Sequence, residues 1–68
     1  MPISGKKAIK ILQSHGFTIA RQRGSHVVLV KHDDKGKQIT VVPLHKELKL
    51  GTLRSIAKLA GLDIKNFS

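Results

Sequence analysis

The spacing of apolar residues switches from helical to alternating and back again along this chain. Ala8, Ile9, Ile11 and Leu12 fall on one arc of a helical wheel, with Lys6, Lys10, Gln13 and Ser14 on the other. The spacing predicts a helix over about residues 5–15, with Ser4 as its N-cap and Gly16 free to take the left-handed conformation that ends helices. His15 falls in the last turn, where a cation suits the helix dipole. Phe17 to Gln22 alternates and reads as a strand, and Arg23-Gly24 as a turn. Ser25 to Lys31 reads as a second strand; both its faces are apolar over Val27 to Val30, the pattern of a central strand. Asp33-Asp34-Lys35-Gly36 is a hairpin signal. Gln38 to Val42 gives a third strand, with Ile39 and Val41 on one face and Thr40 and Val42 on the other. Pro43 has no N–H to donate, so it ends that strand or lies at an edge. Leu44 to Leu50 reads as a loop. Gly51-Thr52 opens a second helix over about residues 52–60, with Leu53, Ile56, Ala57 and Ala60 inward and Arg54, Ser55 and Lys58 outward. Gly61 stops it, and Asp63 caps a last short turn that returns Phe67 to the core. The fold class is α+β, in the order α-β-β-β-α, with a three-stranded antiparallel sheet and two helices on one face.

Size narrows what such a fold can hold. Sixty-eight residues suffice for one domain over 1–68, and a chain this short buries only about 60% of its unfolded surface. Two packed layers leave no room for a deep pocket, so an open site for a polymer fits better than a closed cavity for a metabolite. Cysteine is absent, which excludes disulfides and thiolate metal sites. The N-terminal segment Met1 to Lys7 has no hydrophobic signal core. The longest apolar run is Val27 to Val30, far short of the ~20 residues that span a bilayer. The expectation is a cytoplasmic protein with no membrane association.

Charge changes the picture most. Thirteen Lys and Arg against four Asp and Glu give +9 with neutral histidines, the footprint of a nucleic-acid binder. Such a surface draws in a polyanion from a distance, and less so as salt rises. Trp and Tyr are absent, which counts against a membrane-surface helix.

The chemistry concentrates at Gly24-Ser25-His26, between Arg21-Gln22-Arg23 and the central apolar run. Imidazole is the side-chain type that exchanges a proton near neutral pH, and arginines a few residues away suit a phosphate. RNA cleavage without a metal uses the 2′-hydroxyl as nucleophile. It needs a base for that proton, an acid for the leaving 5′-oxygen and cations for the charge that builds on the phosphate. Carboxylate-based metal catalysis has little support, because Asp33, Asp34, Glu47 and Asp63 lie in separate segments. A zinc site has little either: His26 and His32 share a strand face but stand ~20 Å apart at the usual rise. His15 reads as a helix-end residue and His32 as a solvated strand end. His45 either pins its loop or lines the site. A lone histidine at a strand start is itself more often structural, so His26 needs further support.

Three motifs provide it. Gly24-Ser25-His26, Val42-Pro43-Leu44-His45, and Leu50-Gly51-Thr52-Leu53-Arg54-Ser55-Ile56 followed by Ala60-Gly61-Leu62 resemble the HicA family of toxin mRNA interferases. The opening Ser4-Gly5-Lys6-Lys7 through Leu12 to Gly16-Phe17 is similar to that family's first helix and strand, so the resemblance covers about residues 3–67. It implies a double-stranded-RNA-binding-domain-like fold used catalytically. It implies ribosome-independent cleavage of mRNA, His26 as catalytic residue, and a HicB-type antitoxin that covers the active face. The toxin–antitoxin complex would in turn contact operator DNA. One departure stands out: Val27 occupies a position where some members carry a second histidine or another polar residue.

On this reading His26 is the general base or acid of a metal-independent endoribonuclease acting on single-stranded mRNA, with no cofactor. Gly24 lets the backbone approach a phosphate and Ser25 hydrogen-bonds it. Arg21, Arg23 and Lys31 are candidates for phosphate contacts, and Lys6, Lys7 and Lys10 for tracking the RNA backbone. The alternative is a non-catalytic nucleic-acid-binding module of the same fold. A double-stranded-RNA binder would, however, want a lysine cluster where the second helix opens, and only Arg54 and Lys58 point outward there. A second rival is an assembly subunit whose charge serves an acidic protein partner.

Overall fold

A computed structural model describes residues 3–68; Met1 and Pro2, the start of the segment read for a targeting signal, lie outside the described residues. The elements follow in the order α1 (Gly5–Ser14), β1 (Thr18–Arg23), β2 (His26–Asp33), β3 (Gly36–Pro43) and α2 (Leu50–Ala60), then a 3₁₀ turn at Ile64–Phe67. The strands form one antiparallel sheet in the order β1-β2-β3. The α-β-β-β-α order and the central second strand are those the hydrophobic pattern predicts.

Local chemistry sets the helix ends. The Ser4 side chain accepts from the Lys7 backbone N–H at 3.0 Å, satisfying one of the free donors of the first turn of α1. At the other end, Gly16 takes φ +94°, and His15 is the C-cap rather than the last helical residue. Helix α2 starts at Leu50, two residues before the position the sequence suggests, because its N-cap Lys49 makes no side-chain cap and leaves no local signal to read. Gly61 ends it in the left-handed conformation, and Asp63 Oδ1 accepts from the Lys65 N–H at 2.9 Å to cap the final turn.

The two hairpins are tighter than the sequence pattern suggests. Asp33 pairs with Gly36 and Arg23 with His26, so each turn has only two central residues. Asp33 Oδ1 accepts from the Lys35 N–H at 2.8 Å, so β2 and β3 extend right to the turn. In the first hairpin the turn is Gly24-Ser25 rather than Arg23-Gly24. Gly24 has φ +57° and no other residue of the turn is positive, the glycine-first pattern of a type II′ turn.

One face of the sheet carries the core. Val27 and Leu29 on β2 stand opposite Val42 and Thr40 on β3, and all four are buried. Against them pack Ala8, Ile9 and Leu12 of α1, and Leu53, Ile56 and Ala57 of α2, closed by Phe17 and Phe67 at 2% exposure each. Thr40 is the buried polar residue on this face; its hydroxyl donates to the Ile56 carbonyl at 3.2 Å, which removes the cost of burying it. The other face is open. Val28 and Val30 are half-buried there, and their partners Val41 and Ile39 are 40% and 44% exposed. No helix of the described residues is long and apolar enough to cross a membrane.

Candidate nucleic-acid interface

Alternation along β2 puts His26 on the open face with Val28 and Val30. The ladder then decides its neighbours. Arg23 is directly opposite His26, and Arg21 is opposite Val28. Side chains directly opposite have Cβ atoms about 4.5–5.5 Å apart and diagonal ones about 7–8 Å, so both guanidinium groups can reach a ligand at His26. All three side chains are exposed.

This placement depends on an irregularity that strict alternation misses. The register shifts between Ile19 and Arg21, leaving Ala20 without a partner on β2. Ile19 therefore faces Leu29 on the core side, while Arg21 and Arg23 fall on the open side with His26. A regular strand would have kept Arg21 on the face of Ile19. All six residues of β1 are exposed: as an edge strand it receives little cover from the helices, so its alternation carries no burial signal.

The turn is braced beside the histidine. Gln22 Nε2 donates to the Gly24 carbonyl at 2.9 Å, a role nothing in the local sequence announces. The Leu44 N–H donates to the Ser25 carbonyl at 2.6 Å, and Pro43 stands opposite His26 as the last residue of β3, at a sheet edge. Gly5 closes the same end. A Cβ at Gly5 would overlap the Pro43 carbonyl oxygen, and the Gly5 N–H donates to the His45 carbonyl at 2.9 Å. The backbone of His45 thus pins the start of α1 to the sheet, while its ring stays exposed.

The remaining candidates are dispersed. Lys31 lies on the core side of β2, half-buried, with its ammonium 5.9 Å from the centroid of the Phe17 ring and its stem against Gly16; the fold does not bring it to the face of His26. Lys6, Lys7 and Lys10 are exposed on α1, behind the sheet, with Lys6 and Lys7 in the first turn near Pro43 and His45. His15 Nδ1 lies 2.9 Å from the Ile11 carbonyl, a helix-end contact. His32 is at the far end of β2, opposite Lys37. Val27, at 2% exposure, belongs to the core and faces away from His26, so that position supplies no assisting group. Among the described residues no three His, Cys, Asp or Glu side chains cluster as metal ligands.

In chemical terms, an exposed imidazole is flanked by two guanidinium groups on an open surface, beside a turn with accessible backbone. Such a surface can hold a phosphodiester and move a proton at it. Both phenylalanines are buried and the sequence has no Tyr or Trp, so the surface has no large aromatic platform for stacking bases. A family model described as HicA toxin of bacterial toxin-antitoxin matches residues 5–62. No curated protein matches the chain.

Proposed function

Because the chain belongs to the HicA family of bacterial toxin–antitoxin toxins, we propose that it is a metal-independent endoribonuclease that cleaves single-stranded mRNA, with His26 as its proton-transfer residue. The observation that carries this reading is the register of β1 on β2, which gathers Arg21 and Arg23 around an exposed His26. A base takes the proton of the 2′-hydroxyl, the 2′-oxygen bonds to phosphorus, and the bond from phosphorus to the 5′-oxygen breaks as that oxygen takes a proton. His26 fills one of the two proton-transfer roles. Arg23 and Arg21 stabilise the charge that builds on the non-bridging oxygens, where oriented donors act most strongly on rate. Ser25 and the Gly24 backbone supply hydrogen bonds at the same phosphate.

The partner in this reading is a HicB-type antitoxin seated on the open face. Val28, Val30, Ile39 and Val41 offer it an apolar footing beside His26, and the surrounding cations match an acidic rim. Operator DNA would be contacted through that complex. The cytoplasm, where mRNA lies, is the proposed place of action.

The test is cleavage of a labelled single-stranded RNA at low salt with EDTA present. The wild type cuts, and His26→Ala binds the RNA but cuts about 10²–10⁴-fold more slowly, the range for loss of a proton-transfer group. Loss of wild-type cleavage on chelation contradicts the metal-free mechanism. Binding by both proteins without cleavage by either makes the protein a binding module.

A further inference from the structure

The motif Pro43-Leu44-His45 is not used by the chemistry at His26, yet the fold fixes it firmly to that site. His26 pairs with Pro43, Leu44 is hydrogen-bonded to Ser25, and the His45 carbonyl receives the Gly5 N–H. His45 is therefore two residues, at most about 7 Å of chain, from the residue opposite His26. His45 lines an open recess of about 220 Å³ together with Ser4, Lys6, Leu44 and Lys46. Two lysines and a histidine are among its lining residues, and no acidic residue is. The larger neighbouring recess, about 570 Å³, includes Glu47 and suits an anion less well.

We propose that the recess of Lys6, His45 and Lys46 binds a second phosphodiester of the RNA strand, next to the one held at His26. The proposal rests on the endoribonuclease reading for the identity of the strand, and it adds a subsite outside the reacting atoms. Three residues able to donate to a phosphate, with no acidic residue among them, border one small open space. The backbone bonds of Leu44 and His45 hold that space at a fixed offset from His26. A strand seated in both places has its 2′-hydroxyl and phosphorus positioned before chemistry begins. His45 and the two lysines are thus positioning residues.

The experiment uses a single-stranded RNA oligonucleotide that spans several phosphates. Equilibrium binding is measured by fluorescence anisotropy across a salt series with EDTA, in the His26→Ala protein, so that binding is read whether or not the wild type cleaves. The Lys6→Ala/Lys46→Ala pair weakens binding about tenfold and lowers the slope of log affinity against log salt by about 0.7, the value for one phosphate of a single strand. The Lys35→Ala/Lys37→Ala pair, at the far end of the sheet with the same loss of charge, changes both much less. His45→Gln weakens binding and His45→Arg restores it. In the cleaving protein, the recess variants raise KM with kcat nearly unchanged. Equal losses in the recess and control pairs would overturn the subsite. So would a kcat loss of 10² or more in His45→Gln at unchanged KM, which would make His45 a second proton-transfer group. Absence of cleavage in the wild type counts against the endoribonuclease reading alone, because the binding arms still report on the recess.

Discussion

At the scale of single residues, two glycines and an arginine separate structural from chemical demands. Gly5 is required by contact rather than conformation. Alanine there drives a methyl group into the Pro43 carbonyl, and overpacking of this kind costs about 1–3 kcal/mol. In a domain of this size each kcal/mol lowers Tm by roughly 4–8 °C, so a thermal melt of Gly5→Ala shows a clear drop. Gly24 is the opposite case. Nothing lies within 4 Å of a Cβ at Gly24, but φ is +57°, and a left-handed L-residue costs about 1–2 kcal/mol. Gly24→Ala should melt earlier by that amount and should also lose cleavage, because the turn carries His26. Arg23, opposite His26, is exposed and contributes little to stability. Arg23→Gln should keep its Tm while kcat falls by up to about 10²–10³-fold, the range for one oriented transition-state donor. Of these, Gly24 and Arg23 could be named from the sequence as members of the Gly24-Ser25-His26 segment and its flanking cations. The need for Gly5 could not, because the atom that excludes a side chain there belongs to Pro43, far along the chain.

At the scale of elements, alternation shows which residues of a strand share a face, and packing decides which face is covered. In β3 the split of Ile39 and Val41 from Thr40 and Val42 can be read directly from alternation, but which face is buried cannot, because the open face carries Ile39 and Val41 and the core face carries the polar Thr40. Strand β1 has no such contrast, and the bulge at Ala20 comes from how β1 meets β2 rather than from any local signal. The aliphatic stripe on the open face follows from the same alternation. Ile39→Thr combined with Val41→Thr keeps β-branching and removes only exposed apolar surface. This variant should hold its melting temperature and its RNA cleavage while its complex with the cognate antitoxin weakens about tenfold or more, as measured by titration calorimetry. Unchanged antitoxin affinity would show that the stripe is not the seat.

At the scale of the whole molecule, the excess of 13 basic over four acidic residues acts as a field rather than as a site. RNA association should slow and weaken steeply from 50 to 200 mM salt, measured by stopped-flow and equilibrium anisotropy, because phosphate contacts release counterions. A salt-independent affinity would contradict an interface without an aromatic platform. The order of elements, the central position of β2, the helix ends at Ser4 and Gly61 and the return of Phe67 are all legible in the chain alone. Each of these is written in a local period, a cap or a turn residue that acts over a few positions. Its motifs also pointed to the family and singled out His26. Which cations share a face with that histidine is settled by packing and strand pairing. Arg21 and Arg23 join it through the tight turn and the bulge, Lys31 is turned to the core side against Phe17, and Lys6, His45 and Lys46 meet in one recess. The reason is that a side chain's face is set by register, and register is a property of two strands paired rather than of either one alone.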